Sequence, residues 1–325
     1  MKAAVVTSDG VIELAELPVP EVESRGALLL RTSVSSICGS DLHRFRSPSR
    51  PGSPPTAVLG HESVGVIVAS GDPRFPVGQR VLHAPVVEAG RTFAEFQLAD
   101  PGSVVPVPDG LTDERAVMAQ QLGTVLWAMD HYALAHRVPA SACVTGAGPA
   151  GLLFIQVLRR LGADVVMVSE PDEARRALAG SYGVSTCEPE SFVENVLAVT
   201  SGRGADLIVE CSGTTAARRD AAAAVGVDGV VGLFGIPDGD DSDLGIDLIT
   251  LFEKNLAVVG VQNAQLEAGL GSFVAALRLI ESGAVDVDAL ITHRVNLEGL
   301  PQAFAIARDI SDGVVKVVVK VHPRD

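Results

Sequence analysis

Two groups of residues carry the types and spacings that chemistry needs. The first is Gly146, Gly148 and Gly151, spaced G-x-G-x-x-G, with Pro149 and Ala150 opening an apolar-striped helix. Only glycine lets backbone come close to a pyrophosphate, and the helix N-terminus offers free N–H groups and a positive dipole end. Glu170 follows about 20 residues after the turn, at the end of a second strand, where a carboxylate binds ribose hydroxyls. A carboxylate there repels a 2′-phosphate, so the turn reads as an NAD site, with NADP disfavoured. The second group is Cys38, His61 and Glu62. One thiolate, one imidazole and one carboxylate are donors that zinc takes, and three protein donors with an open position make a catalytic site. Taken singly, Cys38 also fits a small buried hydrophobe and His61 a core histidine with its bonds met.

These groups need two kinds of scaffold. Residues 1–112 read as β-rich, with short apolar or alternating runs at 3–7, 11–14, 27–34, 63–69 and 93–98 broken by prolines. Short strands between frequent Gly/Pro turns suggest a barrel-like β domain. From Thr112 the pattern changes to a long helix over 113–134, then to alternating strands and helices through 257–261. That alternation is the mark of an α/β fold with a doubly wound parallel sheet. A helix at 271–281 follows. The tail, 285–325, has a helix and a strand but no crossover of its own. It is expected to return to the first domain, giving boundaries at 112/113 and 284/285.

Composition narrows the function classes. The 325 residues, 47% of them apolar, exceed one ordinary core and suit two domains. A formal net charge of −15 argues against nucleic-acid phosphates and an anionic membrane surface as partners. No apolar run approaches the roughly 18 residues that span a bilayer. The first ten residues read as a strand, not a signal peptide. The four cysteines, Cys38, Cys143, Cys187 and Cys211, show no paired spacing. That fits a reducing cytoplasm and no disulfide framework.

Together the motifs resemble the medium-chain dehydrogenase/reductase superfamily, in its zinc-dependent alcohol and polyol dehydrogenase branch. The resemblance runs over nearly the whole chain: Cys38-Gly39-Ser40-Asp41-Leu42-His43, Gly60-His61-Glu62, Gly78-Gln79-Arg80-Val81, Phe93-Ala94-Glu95-Phe96, the glycine turn, Val209-Glu210-Cys211-Ser212-Gly213, Leu290-Ile291-Thr292-His293 and Val315-Lys316-Val317-Val318. It implies a GroES-like β-barrel catalytic domain beside a Rossmann domain. It also implies zinc on Cys38, His61 and Glu62, oxidising a secondary alcohol to a ketone, or the reverse, with NAD(H). Ser40 and His43 then sit where the family places its proton relay, and Asp41 orients the ring of His61. Thr124, Ile236 and Val261 fall where the nicotinamide is held, and Lys316 where a cation faces the pyrophosphate. Relatives of this kind are homodimers or homotetramers.

Two departures stand out. The family's four-cysteine lobe would lie in the interval 83–92, which has no cysteine, so one catalytic zinc and no structural zinc is expected. Gln120 stands where the family has Cys, Asp or Glu, and is expected on a zinc-bound water or a substrate hydroxyl. With Gln121, Gln262 and Asn263 it forms an amide-rich set that suits a polyol, cyclitol or sugar. A zinc-free quinone or enone reductase, a non-enzymatic dinucleotide-binding protein and a redox-neutral metal enzyme remain as alternatives.

Overall fold

The computed structural model describes residues 1–7, 11–22, 26–46, 57–132, 139–237, 243–310 and 313–322. Two compact units divide the chain: Met1–Thr124 with Asn263–Asp325, and Val125–Gln262.

In the first unit, β1 (Lys2–Val6) pairs antiparallel with β2 (Ile12–Glu16) and with β4 (Ala57–Val58). A larger sheet is built on β3 (Leu28–Ser36), which pairs antiparallel with both β5 (Ser63–Ser70) and β7 (Phe96–Ala99). Next to β5 run β6 (Arg80–His83) and then β8 (Val104–Pro106). Helix α1 (Gly39–Arg46) follows β3, and α2 (Asp113–Tyr132) follows β8. Phe93, expected inside a strand, instead fills the core, edge-on to Phe304 with ring centroids 5.8 Å apart. Around them pack Ala4, Val6, Ile12, Ile37, Val317 and Val319.

The second unit is α/β. Its strands are β9 (Ser141–Thr145), β10 (Asp164–Ser169), β11 (Thr186–Cys187), β12 (Ala205–Glu210), β13 (Val225–Leu233) and β14 (Ala257–Gly260). Between them come α3 (Pro149–Arg160), α4 (Glu173–Ser181), α5 (Phe192–Val199), α6 (Thr215–Ala224) and α7 (Leu248–Glu253). All pairings are parallel, in the order β11-β10-β9-β12-β13-β14. The chain winds outward from β9 to β11, then jumps back to β12. That reversal opens a crevice at the C-terminal ends of β9 and β12, the place where such sheets take ligands. One core contains Cys143, Met167, Phe192, Val196, Ile208, Ala221 and Val231.

The chain then completes the first unit. Helix α8 (Gly271–Glu281), β15 (Ile291–Asn296), α9 (Leu300–Asp309) and β16 (Lys316–Lys320) follow, with β16 antiparallel to β3. The unit boundaries, 124/125 and 262/263, lie inside the expected ones on both sides. The packing of α2 on α8 explains this. Gly123 faces Phe273 so closely that an added Cβ would lie 2.5 Å from Cδ1 of that ring. Arg115 Nη2 donates to Ile280 O at 3.1 Å. A continuous helical pattern in sequence does not show where its two halves pack.

Candidate metal and dinucleotide sites

The antiparallel register of β3 and β5, Ser35 opposite Ser63, sets the ends of both strands side by side. Cys38 follows one strand directly and His61-Glu62 precede the other. Gly60 makes the turn at φ +94°, and a Cβ there would collide with Thr92 Oγ1. Gly90 backs it: a Cβ at 90 would lie 2.8 Å from His61 Cβ. So the cysteine-free interval packs directly behind the donors. One donor atom each from Cys38, His61 and Glu62 fall within 4.8 Å of one another.

Asp41 organises the group. One oxygen accepts from Cys38 N at 3.0 Å and the other pairs with His61 Nδ1 at 3.1 Å. In the neutral ring this leaves Nε2 as the lone pair, with Ser40 Oγ 3.3 Å away. Burial opposes the charged imidazole, but Asp41 and Cys38 outweigh it and hold the ring well above the usual histidine range. A metal and a proton therefore compete for the same Nε2.

Glu62 is fully buried. Its Oε2 accepts from Ser36 Oγ and pairs with Lys316 Nζ at 2.7 Å. Its Oε1 is buried with no partner. An unmet buried carboxylate oxygen costs more than about 1–3 kcal/mol, so a cation belongs there. The thiolate of Cys38, Nε2 of His61 and Oε1 of Glu62 together fit a zinc ion in chemistry and in free valence.

Lys316, expected at a pyrophosphate, has its ammonium instead between Glu62 and Gln121 Oε1, the latter at 3.1 Å. It is 1% exposed; burial works against its charge, and Glu62, Cys38 and Asp41 reverse that and raise it. Gln120 is buried on α2 with Nε2 unpartnered. Thr124, a turn later, donates its hydroxyl to Gln121 O at 2.7 Å. Gln262 and Asn263 are exposed. His43 lies in α1, but its side chain falls outside the described residues. His83 is buried on β6, with Nδ1 2.8 Å from Gln97 Oε1.

The second unit holds the glycine turn. Gly146 has φ +94°, a left-handed backbone that favours glycine. Gly148 is the N-cap of α3 and Pro149 its first residue, with Ala150 next. A Cβ on Gly151 would collide with Gly146 O, so helix and turn touch backbone to backbone. Glu170 lies against this turn: Oε2 accepts from Ala147 N at 2.7 Å and Oε1 from Asp172 N at 3.0 Å. Arg176 braces the same place, donating to Glu170 O at 2.7 Å. Arg175 Nη1 comes within 3.9 Å of a Cβ built on Gly148. Beyond β13, Ile236 is 40% exposed, free to pack on a ligand. Val261 N donates to Leu233 O at 3.2 Å, so only its carbonyl is left for a ligand. Sequence reasoning gave no role to Glu210, which the structure buries completely at the end of β12. The signal was an acid closing an otherwise apolar strand just before Ser212-Gly213.

Residues 24–122 match the family model for the alcohol dehydrogenase GroES-like domain, and 125–321 that for the glucose dehydrogenase C-terminus. The chain belongs to the medium-chain, zinc-dependent alcohol/polyol dehydrogenase family, oxidoreductases acting on CH–OH groups. An alcohol dehydrogenase of Cupriavidus necator is 28% identical over 99% of both chains. An L-threonine 3-dehydrogenase of Pyrococcus furiosus is 29% identical over 95% of both, and a sorbitol dehydrogenase of Bacillus subtilis 25% identical over 98% of this chain and 97% of its own. In three dimensions the chain superposes on alcohol dehydrogenase TADH from Thermus sp. ATN1 with TM-score 0.86 and 24% identity, over 99% of this chain and 100% of the other. Among the described residues no helix is long and apolar enough to cross a membrane.

Proposed function

We propose that this chain interconverts a hydroxyl-rich secondary alcohol and its ketone, using NAD(H) and a single zinc on Cys38, His61 and Glu62. The carrying observation is the buried carboxylate of Glu62, its Oε1 unpartnered, clustered with the Cys38 sulfur and an oriented imidazole. Zinc bound there would supply Lewis acidity that lowers the alcohol's pKa, and bound nicotinamide would supply the hydride acceptor. The chain's own residues do the rest. Asp41 fixes the tautomer of His61. Ser40 Oγ takes the proton leaving the substrate and passes it towards solvent. Lys316 shares the charge of Glu62. Gln120, its amide nitrogen unmet, hydrogen-bonds a substrate hydroxyl, which favours a polyol, cyclitol or sugar. The relative named for sorbitol, a polyol, supports the same class.

In the second unit the turn Gly146–Gly151 cradles the pyrophosphate, and Glu170 takes the adenosine ribose. Ile236 packs on the nicotinamide, and the backbone of Val261 holds its carboxamide. One zinc suffices for this reading, since 83–92 contains no cysteine. A homodimer or homotetramer suits the apolar side chains that α7 exposes: Leu248 at 70%, Ile249 at 67% and Phe252 at 80%.

The test is metal content and a substrate panel on the same preparation. We expect about one zinc per chain, NADH formed faster from polyols and cyclitols than from simple alkanols, and loss of both zinc and turnover in Cys38→Ser. Active protein with less than about half a zinc per chain would overturn the metal assignment and favour a zinc-free reductase. Cofactor binding without turnover on any alcohol would overturn the enzymatic reading.

A further inference from the structure

Glu210 holds together three pieces of the second unit that are far apart in sequence. Its Oε1 accepts from Ser212 N at 2.6 Å, Ser212 Oγ at 2.6 Å and Gly213 N at 2.9 Å. Its backbone oxygen accepts from Phe234 N and Gly235 N, both at 2.9 Å. The 211–213 turn so formed is pressed between two neighbours. On one side is the first glycine of the dinucleotide turn: a Cβ on Gly146 would lie 3.3 Å from Ser212 N. On the other side is the Gly235–Ile236 backbone: a Cβ on Gly213 would collide with Ile236 O, and one on Gly235 with Gly213 N. Arg218 closes the back, donating from Nη1 to Gly213 O at 3.0 Å.

We infer that Glu210 is a positioning residue for the dinucleotide, clamping the 211–213 turn so that the phosphate turn at Gly146 and the Ile236 wall keep a fixed separation. This rests on the reading of the second unit as the NAD site. The ligand's pyrophosphate and nicotinamide would then be held by two walls that share one spacer. No charge is needed for the clamp, only an acceptor at the position of Oε1. Burial pushes the Glu210 carboxyl up, with the Ser212 and Gly213 bonds opposing it. Its other oxygen, Oε2, is buried without a partner, as is Thr145 Oγ1 on the residue directly opposite in the β9–β12 register. An amide in place of the carboxyl keeps the acceptor and offers N–H groups towards the Thr145 hydroxyl.

The experiment compares wild type, Glu210→Gln and Glu210→Ala as zinc-loaded enzymes, reading NADH affinity by fluorescence titration, KM and kcat, and the melting temperature without cofactor. Glu210→Ala should bind NADH about tenfold more weakly and raise KM for NAD in step, with kcat at saturating NAD within about twofold. Glu210→Gln should restore affinity to within about twofold of wild type. The inference is overturned if Glu210→Ala binds NADH as wild type does, or if Glu210→Gln is as weak as Glu210→Ala. If Glu210→Ala does not fold, Ser212→Ala, which removes one of the accepted bonds, should weaken NADH by about threefold, and an unchanged affinity overturns the clamp. Wild type that binds no NADH brings down the reading of the unit itself, a result distinct from wild-type binding with indifferent variants.

Discussion

Replacing His83 by Gln should remove part of the acid sensitivity of this protein. Gln97 Nε2 donates to Thr32 Oγ1 at 2.9 Å and to Ser63 Oγ at 3.0 Å, so its Oε1 faces His83 and Nδ1 must carry the hydrogen. The ring is otherwise buried, and burial lowers its pKa to about 4 despite the bond to Gln97, against 6.5 for an ordinary histidine. That gap of about 2.5 pH units corresponds to about 3.4 kcal/mol when fully expressed. The sign follows from proton counting. Below pH 6.5 the unfolded chain takes up a proton that the folded chain refuses until about pH 4, so stability is complete above the window and is lost as pH falls through it. Between about pH 7.5 and 5 this one residue accounts for about 2 kcal/mol. Urea unfolding of wild type and His83→Gln across that range measures it, since an amide at 83 can still donate to Gln97. Wild type should lose about 2 kcal/mol more than the variant on going to the acid end. Parallel stability–pH curves would refute the assignment of a neutral, locked imidazole.

Two more outcomes test the metal and cofactor readings. Lys316→Met leaves Glu62 buried without its cation, so zinc-free variant should lose about 3–5 kcal/mol and melt several degrees lower, with the deficit narrowed when zinc is added. Equal melting of the two zinc-free proteins by calorimetry would remove Lys316 from that role. Glu170→Arg should shift the ratio of kcat/KM for NAD over NADP by at least about tenfold towards NADP. An unchanged ratio takes Glu170 off the ribose.

Local chemistry made much of the site legible. The glycine turn is a backbone requirement, and backbone requirements select glycine visibly: Gly151 cannot carry a Cβ against Gly146 O. Cys38, His61 and Glu62 stood out because Cys, His and Glu rarely gather without cause, and the structure sets Ser40 and Asp41 beside them. For Lys316 the sequence placed the strand but not its neighbours. Only the β16–β3 pairing shows that the ammonium lands on Glu62. Helix α5 was unread because it is short, too brief to separate helix from strand by periodicity. Glu210 was quoted within a motif and given no function, because its partners are backbone N–H groups that no sequence displays.

The discontinuity of the first unit imposes a schedule on synthesis. Residues 125–262 form a contiguous unit that can close while later residues are still being made. Strand β3 cannot: Ser36 pairs with Val318, which is made 282 residues later. At about 5–20 residues per second that is a wait of roughly 14–56 s with the 34–36 end of the central strand open on that edge. Cys38, His61 and Glu62 are all made long before β16, whereas Lys316 arrives with it. A nascent chain therefore presents Cys38, His61 and Glu62 before the cation that stands against Glu62 exists, and a ribosome that stalls before β16 leaves a sticky sheet edge beside an uncompensated carboxylate.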